Sequence, residues 1–165
     1  MKKLGFTLLE CCTVCALCFV IFTLTWVNFS CFTTNVIRTD LELLQTVCLS
    51  AQQRALNTHK PQVISIDIHH NTFSYNSNTF SLSAGIRFGV KGGTKGPPAH
   101  PRELVSTCCT FADQKIVCSA NGIINSGTLY LTDDKRSTVY ALSNAVADVS
   151  HLRLYVYRDT WQALL

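Results

Sequence analysis

The hydrophobic positions divide the chain into an apolar N-terminal part and a mixed remainder. No Asp, Glu, Lys or Arg occurs from Cys11 to Ile37, and nearly all the charged residues lie from Arg38 onward. The apolar run from Phe6 to Phe29 would form roughly 36 Å of helix at ~1.5 Å per residue, more than a hydrocarbon core of about 30 Å. The pattern therefore predicts a transmembrane helix over 6–29.

An amphipathic continuation is predicted to follow this run. Apolar residues recur there in steps of four and three, which is the spacing of one helical stripe. No proline lies between Phe6 and Pro61, so the helix is expected to continue through 30–59. The stripe consists of Ile37, Leu41, Leu44, Cys48, Ala51 and Ala55.

The remaining chain, 60–165, alternates between apolar and polar residues, as antiparallel strands do. A Gly/Pro-rich segment over 91–101 is expected to be a flexible loop. The predicted fold is α+β, with one long N-terminal helix packed on antiparallel β-sheet structure. Strands are expected around Ile64–Ile68, Phe73–Tyr75, Phe80–Leu82, Ile86–Val90, Leu104–Phe111, Lys115–Ser119, Gly127–Thr132, Thr138–Ser143 and His151–Arg158.

Composition narrows the class of protein. The length of 165 residues fits one domain, and 47% hydrophobic with only 15% charged residues excludes a disordered chain. Lys2 and Lys3 account for two units of the net charge of +4, so the remainder of the chain is close to neutral. Such a balance does not indicate the concentrated basic stripe that usually binds nucleic acid. No catalytic, phosphate-binding or metal motif is present, and neither an enzyme nor a cofactor is predicted.

The nine cysteines fall into two groups. Five belong to or border the apolar helix and are interpreted as packing residues, since free cysteine behaves as a small hydrophobe. The other four lie in the predicted external domain, where one disulfide is a candidate and its pairing is open. The first group is Cys11, Cys12, Cys15, Cys18 and Cys31, and the second is Cys48, Cys108, Cys109 and Cys118. The histidines His59, His69, His70, His100 and His151 are scattered and predict no metal site.

Glu10 is the informative residue of the apolar run. A carboxylate within a spanning helix costs about 2.5–3.5 kcal/mol and usually has a partner. Cleavage after Gly5 would give Phe6 a free amine, which could pair with Glu10 of a neighbouring subunit. The other interpretation is that Glu10 lies at the cytoplasmic interface without a specific partner. Lys2 and Lys3 precede the run, which places the N-terminus in the cytoplasm and the domain outside.

The segment Gly5-Phe6-Thr7-Leu8-Leu9-Glu10 after a short basic leader resembles the signal of type IV pilins and type II secretion pseudopilins. This resemblance implies that a prepilin peptidase removes leader 1–5 by cutting after Gly5 and then methylates the Phe6 amine. It also implies that Glu10 is needed for assembly with other pilin-like subunits at an inner-membrane platform. The expected location is the bacterial inner membrane, single-pass, with a periplasmic domain that later joins a filament.

The rest of the chain resembles the minor pseudopilin H and FimT-like group. The resemblance rests on the helix-to-strand transition near Pro61, on Gly85–Phe88, and on Ala120–Gly122 ahead of Gly127–Leu131. The group's closing Gly-Arg-Val-Arg pattern is absent, and His151–Leu154 stands in its place. The expected function is that of a minor pseudopilin that helps initiate or tip the filament.

Two alternatives remain open. The first is a minor type IV pilin that acts in pilus biogenesis or binds DNA during uptake, with Arg136, Arg153 and Arg158 as candidate contacts. Arg153 and Arg158 are five residues apart on a predicted strand, so they face opposite sides, and Asp159 offsets them. The second is a single-span anchor that is never cleaved.

Overall fold

The computed structural model describes residues 8–96, 103–134, 138–145 and 151–164, with the side chains of 8–9 and 24–35 excepted. The chain divides into two compact units, Met1–Asn35 and Val36–Leu165. Helix α1 is assigned to Leu8–Thr58. Its described side chains form two stretches, 10–23 in the first unit and 36–58 in the second.

The predicted membrane helix is contradicted. Among the described residues, no helix is long and apolar enough to cross a membrane. This finding corrects both the transmembrane segment over 6–29 and the single-pass inner-membrane location.

The predicted pilin-like α+β fold, one long N-terminal helix on a sheet, is wrong as well. Helical stretch 36–58 supplies the helical part of the core, whereas the described side chains of 10–23 are exposed. The strands form two antiparallel sheets, one of four strands and one of five. The physical reason is that only the second stretch carries an apolar stripe with polar residues around it, so only this stretch has one face to bury.

Nine strands follow the helix in the described chain, and a short 3-10 helix, Ala112–Gln114, precedes β5. The first sheet has the order β3-β2-β1-β5 and the second β4-β6-β7-β8-β9, with every pairing antiparallel. The strands are β1 Gln62–Asp67, β2 Thr72–Tyr75, β3 Asn78–Ser81, β4 Ile86–Phe88, β5 Lys115–Cys118, β6 Gly127–Asp133, β7 Val139–Asn144, β8 Leu152–Arg158 and β9 Thr160–Ala163.

The main core lies between helical stretch 36–58 and both sheets. All six residues of the predicted stripe are buried, from Ile37 to Ala55. They pack in one cluster with Ile64 and Phe73 of the first sheet and Leu129 and Leu142 of the second. Burial of this stripe stabilises the fold by about 25 cal/mol per Å² of apolar surface.

A second, smaller cluster covers the other face of the second sheet. It centres on Tyr130, Val139 and Ala141, with Trp161 packed against them. The segment that precedes the undescribed residues 97–102 docks here, because the indole nitrogen of Trp161 donates a 2.8 Å hydrogen bond to the Lys95 carbonyl oxygen. Residues 91–96 of the expected flexible loop therefore have a defined position, and 97–101 lie outside the described residues.

Candidate functional site

The N-terminal motif is only partly described. Lys2, Lys3, Gly5 and Phe6 lie outside the described residues. Glu10 lies in the first turn of α1 and is exposed, and its carbonyl oxygen accepts a 2.9 Å hydrogen bond from the Thr13 hydroxyl. A carboxylate at this end of a helix is favoured by the helix dipole.

The first helical stretch exposes apolar side chains at several angles around its axis. Val14 is 52%, Leu17 62% and Phe19 71% exposed. Cys11, Cys12, Cys15 and Cys18 are also exposed and have free thiols. Apolar surface of this kind on a described helix is typical of a surface that another molecule covers.

The four cysteines of the second unit differ in how deeply their side chains are buried. Cys48 and Cys118 are fully buried, Cys108 and Cys109 are half-buried, and all four are free thiols. Burial, together with the nearby Cys118, raises the pKa of Cys48. Burial raises the pKa of Cys118 to about 11. Since the thiolate is the reactive form, both thiols are expected to be unreactive at neutral pH.

The described histidines are exposed, and His69 and His70 lie in a turn. His70 Nδ1 lies 2.7 Å from Asp67 Oδ2 in the turn between β1 and β2. The hydrogen bond from His70 is the main reason that the pKa of Asp67 is lowered. No group of three or more His, Cys, Asp or Glu side chains that could hold a metal occurs among the described residues.

The structure reveals a groove that the sequence did not indicate. It lies within the second unit, where the start of helical stretch 36–58 meets β8 and the end of β9, and has a volume of about 540 Å³. The Gln45 amide donates a 3.4 Å hydrogen bond to the Leu152 carbonyl oxygen, which joins the helix to β8. We call this feature the corner groove; it is lined by Arg38, Glu42, Gln45, Leu152, Arg153, Leu154, Ala163 and Leu164.

Arg38 is accompanied by an acidic residue at this corner, since Glu42 lines the same groove. Arg153 lines the corner groove with Arg38. Burial raises the pKa of Tyr140, while the positive charges of Arg158 and Arg38 act to lower it. Arg158 and Arg38 therefore both act electrostatically on the Tyr140 hydroxyl. Arg136, the third candidate DNA contact, lies outside the described residues.

Sequence reasoning missed Arg38 and Glu42. Their spacing of four on a predicted helix is a signal for an ion pair, and Arg38 Nε lies 2.7 Å from Glu42 Oε1. The proximity of this pair to β8 had no local signal, because it follows from the order of strands in the second sheet. Comparison with known protein families, characterised proteins and solved structures finds no match to this chain.

Proposed function

We propose that this chain is a minor pseudopilin, a structural subunit that helps initiate or tip the pseudopilus of a type II secretion system. The single observation that carries the proposal is the sequence Gly5-Phe6-Thr7-Leu8-Leu9-Glu10 behind Lys2 and Lys3. It combines a basic leader, a cleavage glycine, a phenylalanine and a glutamate at the spacing that pilin-like subunits share.

The described part of the motif supports this proposal. Among the described residues, Glu10 lies in the first turn of α1 and is exposed. Val14, Leu17 and Phe19 on the next turns are exposed. Helices with such surfaces can pack against equivalent helices of neighbouring subunits in an open, head-to-tail assembly.

In this proposal, the Phe6 amine of one subunit pairs with the Glu10 carboxylate of another. The pair would fix the axial offset between adjacent helices, since a charged pair in an otherwise apolar interface permits few registers. The proposed partners are other pseudopilin or pilin subunits, a prepilin peptidase and an assembly platform.

The alternative of DNA uptake has weaker support. Arg153 and Arg158 are five residues apart on β8 and so point to opposite faces of the sheet. Glu42 neutralises Arg38 locally. The arginines therefore do not form one continuous basic face, which is the usual footprint of a DNA-binding surface.

The mass of the N-terminal peptide from the native protein tests the proposal. We expect a peptide that begins with N-methylated Phe6, because the peptidase and methyltransferase act on the same motif. A peptide that still begins at Met1 would contradict the proposal and remove the basis for a role of Glu10 in assembly.

The companion variant is Glu10→Ala, measured by incorporation into filaments of the native host. We expect normal cleavage after Gly5 but little incorporation, since the variant keeps the cleavage site and loses the carboxylate. The matched control is Glu103→Gln, an exposed carboxylate outside the motif, which should incorporate normally. Equal incorporation of Glu10→Ala and the unaltered chain would exclude the pairing of Phe6 with Glu10.

A further inference from the structure

The turn between β5 and β6 contains a pair of residues with its own covalent chemistry. Asn121-Gly122 is the single Asn-Gly pair of the sequence. Asn121 is exposed, whereas Gly122 is buried. In such a pair the asparagine side chain can react with the backbone nitrogen of the glycine, because glycine has no side chain that shields this nitrogen. The pair is therefore a site at which asparagine can be converted to a carboxylate.

The reaction needs water as its only co-reactant. The Gly122 N–H loses its proton to solvent base, and its nitrogen attacks the Cγ carbon of the Asn121 side chain. The new C–N bond closes a five-membered succinimide ring, and the side-chain nitrogen takes up a proton and leaves as ammonia. Addition of water to either ring carbonyl then opens the ring to aspartate or isoaspartate. The net change is hydrolysis of one side-chain amide.

In the folded chain the attacking nitrogen is held in the turn. The Gly122 N–H donates a 2.9 Å hydrogen bond to the Ser119 carbonyl oxygen, and the Ser119 N–H donates one of 2.8 Å to the Ile123 carbonyl oxygen. The Ile123 N–H in turn donates a 3.1 Å hydrogen bond to Ser119 Oγ. Removal of the Gly122 proton would break the first of these bonds and leave an anion beside a carbonyl oxygen, so the turn disfavours the first step.

Helical stretch 36–58 covers the same glycine. The Gln52 side-chain amide donates a 2.6 Å hydrogen bond to the Gly122 carbonyl oxygen. The Leu56 side chain packs so closely that a Cβ atom at Gly122 would lie 2.8 Å from Leu56 Cγ. Ring closure requires the glycine nitrogen to approach Asn121 Cγ. The contacts with the helix oppose this movement, because they fix the position of Gly122.

We propose that Asn121 is a deamidation site that the fold keeps unreactive, and that it reacts from a locally opened state in which Gly122 has left the helix. When opening and closing are fast compared with the chemistry, the reaction rate is proportional to the population of the open state. Isoaspartate routes the backbone through an additional carbon atom, so the product no longer matches the turn that docks on the helix. This inference does not depend on the filament proposal.

Asn76-Ser77 supplies a reference site in the same chain. Both residues are exposed, and they lie in the turn between β2 and β3. The serine side chain shields the backbone nitrogen, so Asn76 should react more slowly than Asn121 when the chain is unfolded.

The test follows deamidation of the full-length chain at mildly alkaline pH by mass spectrometry of proteolytic peptides. One sample is folded, and the other is unfolded in guanidinium chloride. We expect Asn121 to react faster than Asn76 in the unfolded chain, and folding to slow the reaction of Asn121 at least tenfold. The slowing reflects a stable turn, since each factor of ten corresponds to ~1.4 kcal/mol of opening free energy.

Two variants examine the role of the helix. Gln52→Ala removes the hydrogen bond to Gly122 and should speed deamidation of Asn121 in the folded chain by about two- to tenfold. Gln53→Ala, the matched control, changes the exposed glutamine next to it and should leave the rate unchanged. Both variants should react like the unaltered chain in guanidinium chloride. Circular dichroism checks that each variant is folded.

Several results would overturn the proposal. These are equal rates at Asn121 in the folded and unfolded chains, equal rates in folded Gln52→Ala and Gln53→Ala, and slower reaction at Asn121 than at Asn76 in guanidinium chloride. An increase in Gln52→Ala that is equally large at Asn76 would also overturn it, because the whole unit and not the helix contact would then control the reaction.

Discussion

Asp40 is a buried acidic residue next to the apolar stripe of the helix. It anchors the helix to the segment between β3 and β4. It is 6% exposed. Its carboxylate accepts 2.8 Å hydrogen bonds from both the backbone N–H and the hydroxyl of Ser83. Hydrogen bonds to a charged group contribute about 1.5–3 kcal/mol, more than neutral ones.

We therefore expect Asp40→Ala to lower the free energy of unfolding by about 2–4 kcal/mol, because two donors of Ser83 lose their acceptor. Urea unfolding of the full-length chain measures this change. Glu42→Ala is the matched control, since it removes a half-exposed carboxylate two residues away and should cost less than about 1 kcal/mol. Equal losses in the two variants would show that Asp40 is not an anchor.

The helical stripe and the Asp40 anchor differ in how far sequence could predict them. Helix period alone indicates that Ile37, Leu41 and Leu44 share a face, and the structure confirms their burial. Asp40 lies next to that face, but its partner Ser83 is 43 residues away. No local pattern reports such a contact.

At the scale of elements, alternation located most strands but not those that depend on tertiary pairing. The stretch Leu104–Phe111 was predicted as a strand, and the structure has isolated bridges there, such as Cys109 with Leu129. Strand β9 was not predicted, because Thr160–Ala163 carries one large apolar residue and no clear alternation. It forms by pairing with β8, a contact that a four-residue segment does not encode alone.

Strand β6 shows the same limit of prediction from local sequence, here for burial. Every residue from Thr128 to Asp133 is buried, whereas an alternating strand is expected to expose one face. The second face is covered by the cluster around Tyr130 and Trp161, which the docked segment 91–96 joins through Lys95. The burial follows from that cover and not from the strand's own sequence.

We expect Trp161→Phe to loosen this cover without unfolding the sheet. In the unaltered chain the ring centroids of Trp161 and Tyr157 are 5.1 Å apart. The variant keeps an aromatic ring beside Tyr157 but loses the hydrogen bond to the Lys95 carbonyl oxygen. Amide hydrogen exchange in 91–96 should become faster, while the free energy of unfolding falls by about 0.5–1.5 kcal/mol.

The control for this effect is Tyr155→Phe, which removes a hydroxyl from the same cluster. It should leave exchange in 91–96 unchanged, because the bond between Trp161 and Lys95 remains. Faster exchange across the whole second sheet in Trp161→Phe would mean that the indole supports the sheet itself and not the cover.

At the scale of the whole molecule, the sequence and the structure inform on different sites. The leader motif can be recognised from residues 1–10 alone, because all of its residues are close together in the sequence. The corner groove cannot, because Arg38 and Arg153 are brought together only when β8 lies beside the helix. The expected membrane helix was wrong, since no helix among the described residues is long and apolar enough to cross a membrane.

Two buried thiols give the second unit a dependence on alkaline pH. Burial raises the pKa of Cys118 from 9.0 to about 11, and burial with the nearby Cys118 raises the pKa of Cys48. In the folded chain both groups therefore keep their protons at a pH where the unfolded chain releases them. Their contribution to stability is complete below about pH 9 and is lost as pH rises towards the folded values.

We expect the free energy of unfolding, measured with urea, to fall between about pH 9 and about pH 11. Cys118→Val should make this decline shallower, since valine fills the buried position without a titratable group. Cys15→Ala, which removes an exposed thiol from the first unit, should keep the original slope. If Cys118→Val declines as steeply as the unaltered chain, other groups cause the alkaline loss, and the burial of Cys118 does not govern it.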